Sequence, residues 1–269
     1  MKINDKKNLN DFISPKNHIK DVKKIFLVAS TKGGVGKSTL TCNLAQYLAN
    51  KKLNIAIVDA DIYGPSQFMM FGLENNQPFN LTEDMKYTLP FEAYGLKIMS
   101  IASSIRDDQA VSWRGPMATV ALKNLLLNTQ WNELDYLIID MPPGTGDIQI
   151  SLCELLPKAQ AVIVTTPQDV ALLDCKKGIE LFVQRNIKIL GIVENMSGYL
   201  CNHCGNIDHI FGENGANNLS DKYQVPVLGK IPLQTTIRVN ADQGKPIAFD
   251  QSTISDIYKM IAEKISESI

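Results

Sequence analysis

Short, nearly uninterrupted apolar runs recur along the chain at Ile25 to Ala29, Ile55 to Val58, Leu96 to Ile101, Tyr136 to Ile139, Ala161 to Val164, Ile187 to Val193 and Val227 to Leu228. Runs of this length without polar alternation suit strands buried on both faces. Between them the spacing changes to that of helices, most clearly over Lys37 to Asn50, where Leu40, Leu44, Ala45 and Leu48 share one face. Met117 to Leu127, Ala171 to Gln184 and Ile254 to Ile265 are further predicted helices, while the polar, proline-containing stretch Asn75 to Pro90 reads as an irregular excursion. Strand followed by helix, repeated, predicts an α/β fold: a doubly wound, mostly parallel sheet covered on both faces. Residues 1 to 22 are read as an N-terminal leader and 23 to 269 as a single domain.

Composition narrows the functional classes only a little. With 45% hydrophobic and 20% charged residues, the chain has the make-up of an ordinary globular protein. A net charge of −1, from 27 basic and 28 acidic residues, argues against a dedicated nucleic-acid binder. The stripe Ile254, Ile257, Tyr258, Ile261 and Ile265 has a polar face of mixed sign, so it is expected to pack on the core rather than lie on a membrane. Met1 to Lys24 contains no apolar run, so neither a secretory signal nor an anchor is expected, and a cytoplasmic location is. Five cysteines do not make a disulfide framework there; Cys42, Cys153 and Cys175 lie in apolar surroundings and read as buried thiols.

Strand Ile25 to Ala29 runs into Ser30-Thr31-Lys32-Gly33-Gly34-Val35-Gly36-Lys37-Ser38-Thr39 and then at once into a helix, the context of a phosphate-binding loop. Glycines let backbone N–H groups turn inward around an anion, and the helix N-terminus adds its positive end. Gly33, Gly34, Val35, Gly36, Lys37, Ser38 and Thr39 are therefore the expected nucleotide-binding residues. Lys37 supplies charge to the outer phosphates of ATP and Ser38 a hydroxyl for Mg²⁺. The strict pattern would place Gly at position 31, where this chain has Thr31, and a second lysine, Lys32, heads the loop. This resembles the deviant Walker A loop of the MinD, ParA and ArsA-like ATPases. The resemblance implies that Lys32 reaches across a dimer interface to the partner's nucleotide, so that ATP joins two subunits.

Asp59 and Asp61 follow one predicted strand and Asp140 another, and in a parallel sheet these ends lie on the edge that carries the phosphate loop. Asp140 reads as the Walker B carboxylate holding the Mg²⁺ shell, Asp61 as the group that orients the attacking water, and Asp59 as a second link to Mg²⁺. The competing role for any of them is to cap the next helix, which weighs most for Asp59. Met141-Pro142-Pro143-Gly144-Thr145-Gly146-Asp147 reads as a switch loop that senses the γ-phosphate.

Cys201 and Cys204 stand in a polar stretch beyond strand Ile187 to Val193. Two thiolates at this spacing offer half of a four-ligand metal site, and a two-fold axis near the loop would supply the rest. Taken with Asp59-Ala60-Asp61-Ile62-Tyr63-Gly64-Pro65-Ser66, Trp113-Arg114-Gly115-Pro116-Met117, Asp140 to Asp147 and Glu194-Asn195-Met196-Ser197, the chain resembles the Mrp/ApbC family of iron-sulfur cluster carrier ATPases over roughly residues 15 to 250. The resemblance implies a homodimer that holds a [4Fe–4S] cluster between subunits through Cys201 and Cys204 and delivers it to apo iron-sulfur proteins. It also implies Asn195 as an adenine contact. Two other readings stay open: a MinD/ParA-type spatial regulator, and an ATPase whose cysteine pair holds structural zinc or forms a redox dithiol.

Overall fold

A computed structural model describes residues 18–75, 77–104, 115–201, 203–250 and 252–268. The Trp113-Arg114 part of the motif above lies outside them.

The first strand, β1 (Val22–Ala29), is followed by the phosphate-loop segment and helix α1 (Lys37–Asn50). Next come β2 (Ile55–Asp59), the short α2 (Gln67–Met70), β3 (Asn80–Leu81), β4 (Thr88–Leu89), β5 (Phe91–Ala93) and β6 (Leu96–Ser100). Helix α3 (Gly115–Leu127), β7 (Leu134–Asp140), α4 (Asp147–Leu155), β8 (Gln160–Thr165), α5 (Asp169–Gln184) and β9 (Lys188–Leu200) continue the alternation. The chain ends with β10 (Ile207–Asp208), α6 (Gly215–Tyr223), β11 (Val227–Leu233), α7 (Thr235–Asp242) and α8 (Thr253–Glu267).

The main sheet has the order β10-β9-β8-β1-β7-β2-β6-β5, with β11 on β9. All its pairings are parallel except β5 with β6 and β10 with β9. The doubly wound, mostly parallel architecture follows, because strands such as β2, buried at every position, need helices on both faces. Parallel register also aligns the chemistry: Asp140 pairs with Val28 on one side and with Asp59 on the other, and Asp59 pairs with Ser100. Two carboxylates thus stand side by side at the C-terminal edge of the sheet, where open α/β sheets bind ligands.

The expected helices form with ends shifted by a few residues, as end assignments commonly do. Helix α8 buries Ile254, Tyr258, Ile261 and Ile265 against α1 and β11, so its stripe is core. Ser252 caps it, its Oγ accepting from the Ser255 N–H. Two sequence expectations need correction. The stretch Asn75 to Pro90 holds a small antiparallel ribbon, β3 with β4, rather than no regular structure. Strand β9 does not stop near Val193 but runs on to Leu200, because β11 pairs along it and β10 folds back onto its end.

Candidate functional site

The loop between β1 and α1 is shaped by two left-handed residues, Gly34 (φ +78°) and Gly36 (φ +90°). At Gly36 a side chain would also run into the Asn195 amide, whose Nδ2 donates to the Val35 carbonyl at 2.8 Å. Asn195 is therefore a strut under the phosphate loop, a contact that its expected role toward adenine did not foresee. Around Gly33 and Gly34 nothing would meet an added Cβ, so the outer wall of the loop borders open space.

Lys37 is buried at the start of α1, its Nζ donating to Asp140 Oδ1 at 2.7 Å and lying 3.6 Å from Asp61 Oδ2. Burial alone would push this amine down, but the charge and hydrogen bond of Asp140, helped by Asp61 and Asp59, hold it above its ordinary value. Asp61 moves up, because burial outweighs the pull of Lys37 and the neighbouring Asp140 adds to the rise. Asp59, fully buried in register with Asp140, is pushed up by burial and by that like charge.

The oxygens of Asp59 accept from three backbone N–H groups: Oδ2 from Ser66 at 2.8 Å and Gln67 at 3.0 Å, Oδ1 from Asp61 at 3.2 Å. This is the capping role that competed with a link to Mg²⁺, here at the entry to α2. Asp140 Oδ2 meets the Gln67 side chain, Nε2 to Oδ2 at 2.7 Å, and the same Nε2 donates to the Ser38 carbonyl at 3.0 Å. Gln67 escaped the sequence reading. Its only signal there is a lone amide between Gly64-Pro65-Ser66 and the apolar Phe68-Met69-Met70-Phe71.

After β7 the chain turns at Gly144 (φ +103°), whose N–H donates to Ser30 O at 2.9 Å. Gln149 of α4 donates to Pro142 O at 3.1 Å and Pro143 O at 2.7 Å, tying the proline loop to the helix that follows. Ser38 Oγ and Asp140 Oδ1 both lie on Lys37 Nζ, at 3.2 and 2.7 Å, so a hydroxyl and a carboxylate oxygen stand together beside the loop. That donor chemistry fits Mg²⁺, a hard cation that keeps part of its water shell.

The cysteine pair sits at the tip of a β-hairpin. Strand β9 carries a bulge where Asn195 and Tyr199 oppose Ile231 and Leu233, with Met196 at φ +57°. Beyond it Leu200 pairs with Ile207 of β10, and Cys201 N–H donates to Asn206 O while Gly205 N–H donates to Cys201 O, both at 2.9 Å. Cys204 is exposed and Cys201 half-buried. N–H groups of Cys204 and His203 draw the Cys201 thiol below its ordinary value, whereas burial raises Cys153 to about 11 and Cys175 to about 12. Of these thiols Cys201 is the one disposed to be a thiolate. Among the described residues no group of three or more His, Cys, Asp or Glu is arranged around a single metal position.

Comparison with known proteins agrees with this geometry. The family described as ParA, NUBPL iron-transfer P-loop NTPase, matches residues 21–266. An iron-sulfur cluster carrier protein of Pseudomonas fragi is 51% identical over 245 residues, covering 90% of this chain and 85% of the relative. The carrier of Escherichia coli K12 is 46% identical over 253 residues, 93% of this chain and 68% of its own length. Among solved structures, a nucleotide-binding protein of Archaeoglobus fulgidus in complex with ADP superposes with a TM-score of 0.76 at 33% identity, over 87% of this chain and 92% of that one. The Pyrococcus furiosus cell division ATPase MinD (TM-score 0.70, 22% identity, 92% of this chain and all of that one) shares the fold. A phosphate loop braced from β9 and a cysteine hairpin at the end of that same strand thus occur in a chain that belongs to the NUBPL iron-transfer P-loop NTPase family.

Proposed function

We propose that this protein binds and hydrolyses ATP and carries a [4Fe–4S] cluster as cargo, held by Cys201 and Cys204 from each of two copies and handed on to apo iron-sulfur proteins in the cytoplasm. The observation that carries the reading is the placement of both sites on β9: Asn195 braces the phosphate loop and Cys201 opens the hairpin tip six residues later. The names of the relatives, carriers of iron-sulfur clusters, support the cargo. No helix among the described residues is long and apolar enough to cross a membrane.

In this mechanism the glycine loop and the start of α1 hold the phosphates. Lys37 leaves Asp140 for the outer phosphates, while Ser38 and Asp140 would hold the metal side of the nucleotide, with Asp59 beside Asp140 as a link through water. Mg²⁺, when bound there, would neutralise charge that develops on the transferring phosphate. Asp61, beside Lys37 yet partly open to solvent, orients the attacking water. Lys32 crosses to the second copy's nucleotide, and Gly144 lets the proline loop respond to the γ-phosphate.

Two thiolates cannot close a tetrahedral site, so the cargo needs a second pair, and a symmetric dimer brings one. The same donors also suit Zn²⁺. Anaerobic reconstitution with iron and sulfide, followed by absorption, iron and sulfide counts and the mass in solution, separates the two. The expected product is a brown dimer with four irons and four sulfides per pair of chains, about the stoichiometry of a Cys₄ cluster. A colourless dimer that retains zinc under those conditions overturns the cluster reading.

A further inference from the structure

Gln67 is fully buried, and its amide orientation is forced, because both groups within reach of Nε2, the Ser38 carbonyl and Asp140 Oδ2, are acceptors. Its backbone N–H is in turn held by Asp59 Oδ2. One side chain therefore bridges the first turn of α1, the end of β7 and, through its own backbone, the end of β2. Those three elements carry Ser38, Asp140 and Asp59. The orientation leaves Oε1 buried and without a donor among the described residues. A buried amide oxygen left unpaired costs stability, of the order of 1–3 kcal/mol, so such a group signals a missing donor.

We infer that Gln67 is a positioning residue for the metal bound with the nucleotide: Nε2 fixes Asp140 against Ser38, and Oε1 accepts a hydrogen bond from a water on the metal. The inference rests on the nucleotide-binding reading above and adds to it a residue outside the phosphate loop and the acidic strand ends. The division of labour on Asp140 follows. Gln67 occupies Oδ2, so the Oδ1 that Lys37 gives up when it turns to phosphate is the oxygen presented to the metal shell. An amide suits this place where a carboxylate would not, because Asp59 and Asp140 already set two acids side by side.

The test uses the full chain with Mn²⁺ as the probe metal, titrated by electron paramagnetic resonance in the presence of ADP, alongside ADP binding in EDTA and ATP turnover. Gln67→Leu keeps much of the volume and removes both polar atoms; Gln67→Glu keeps the shape and sets a third acid against Asp140. Both variants are expected to bind Mn²⁺ with ADP about 10–100-fold more weakly, the range for groups that orient metal ligands. Metal-free ADP binding is expected to stay within about twofold of the parent, and kcat to fall more than KM rises, since a mis-set metal acts on the transferring phosphate. Phe68→Leu, which loosens the packing of the same short helix against Phe91, is the control for damage of a general kind. Parent-like Mn²⁺ affinity in both Gln67 variants, or an equal loss in Phe68→Leu, overturns the assignment. Should Gln67→Leu fail to fold, Gln67→Glu decides alone. A parent that binds no ADP at all would instead remove the nucleotide reading on which the assignment stands.

Discussion

At the phosphate-loop edge, partners come from within the chain. Lys37 rests on Asp140 and Asp61, Asp59 on three backbone N–H groups, Asp140 on Lys37 and Gln67, and the loop carbonyl of Val35 on Asn195. At the hairpin, two thiols stand at a tip bordered by Leu200 and by Ile207, the latter 63% exposed. The first region is preorganised: buried charges persist only where neighbours compensate them, and ligands enter by exchanging one partner for another. The second has two thiols and an apolar margin at its tip. The nucleotide edge draws its observed partners from its own chain, whereas in the proposed function a second copy completes the cysteine pair.

The sharpest break of that contrast is Cys201→Ala. In a symmetric pair it deletes two of four thiolates at once, so reconstituted protein should hold no cluster by absorption and iron count, while ADP binding by calorimetry stays as in the parent. Parallel loss of nucleotide binding would show the two regions to be one.

Lys37→Ala attacks the preorganised side. ATP turnover is expected to fall by about two to four powers of ten, the scale seen when a phosphate-stabilising group is removed. The metal-free protein should also lose about 3–5 kcal/mol in urea unfolding, because Asp140 would be left buried beside Asp59 without its cation. Near-normal turnover would remove the assignment of the loop. Asp61→Ala, whose partner is water rather than phosphate, should slow hydrolysis while ADP affinity changes less than about threefold; equal loss of both would make it structural.

A smaller effect is expected at the strut. Gly36→Ala forces a side chain into a left-handed residue and against the Asn195 amide, and should destabilise by about 1–3 kcal/mol. Combining it with Asn195→Gly removes the collision but not the backbone strain, so partial recovery of the urea midpoint is the expected result. The smallest change is predicted for Cys204→Ser in cluster-free protein. Its side chain is exposed, and the unfolding free energy should stay within about 0.5 kcal/mol of the parent. A larger loss would mean that the hairpin is more than a mount for two thiols.

Much of the nucleotide edge was legible in the sequence because its parts are contiguous. The strand, Lys32 to Thr39 and the helix from Lys37 follow one another, and glycine at positions 34 and 36 announces backbone that other residues resist. The placement of Asp140 at a strand end was equally readable, since a buried strand that stops at an acid is a local pattern. The helix α4 was not: its residues begin directly after the proline loop with Asp147 and Gln149, whose polar character hides the turn, and Gln149 is buried only because Pro142 and Pro143 need a donor. The end of β9 was hidden for a similar reason. Glu194 to Ser197 is polar, yet Glu194 is buried, where it accepts from Ala216 N–H at 2.7 Å and lies 3.6 Å from Lys230 Nζ. Partners supplied from distant segments turned an unlikely strand into a buried one.

By itself the sequence determined the alternation of strand and helix, the phosphate loop with its two lysines, the acids at strand ends and the spacing of the cysteine pair. These are short-range patterns, and local chain stereochemistry reads them directly. Only the tertiary structure decided which groups meet: that Asp59 and Asp140 share a register row, that Asn195 braces Val35 from 160 positions away, and that Gln67 joins Ser38 to Asp140. Such contacts depend on the order of strands across the sheet, and that order is settled by the burial of whole faces rather than by any residue's neighbours along the chain.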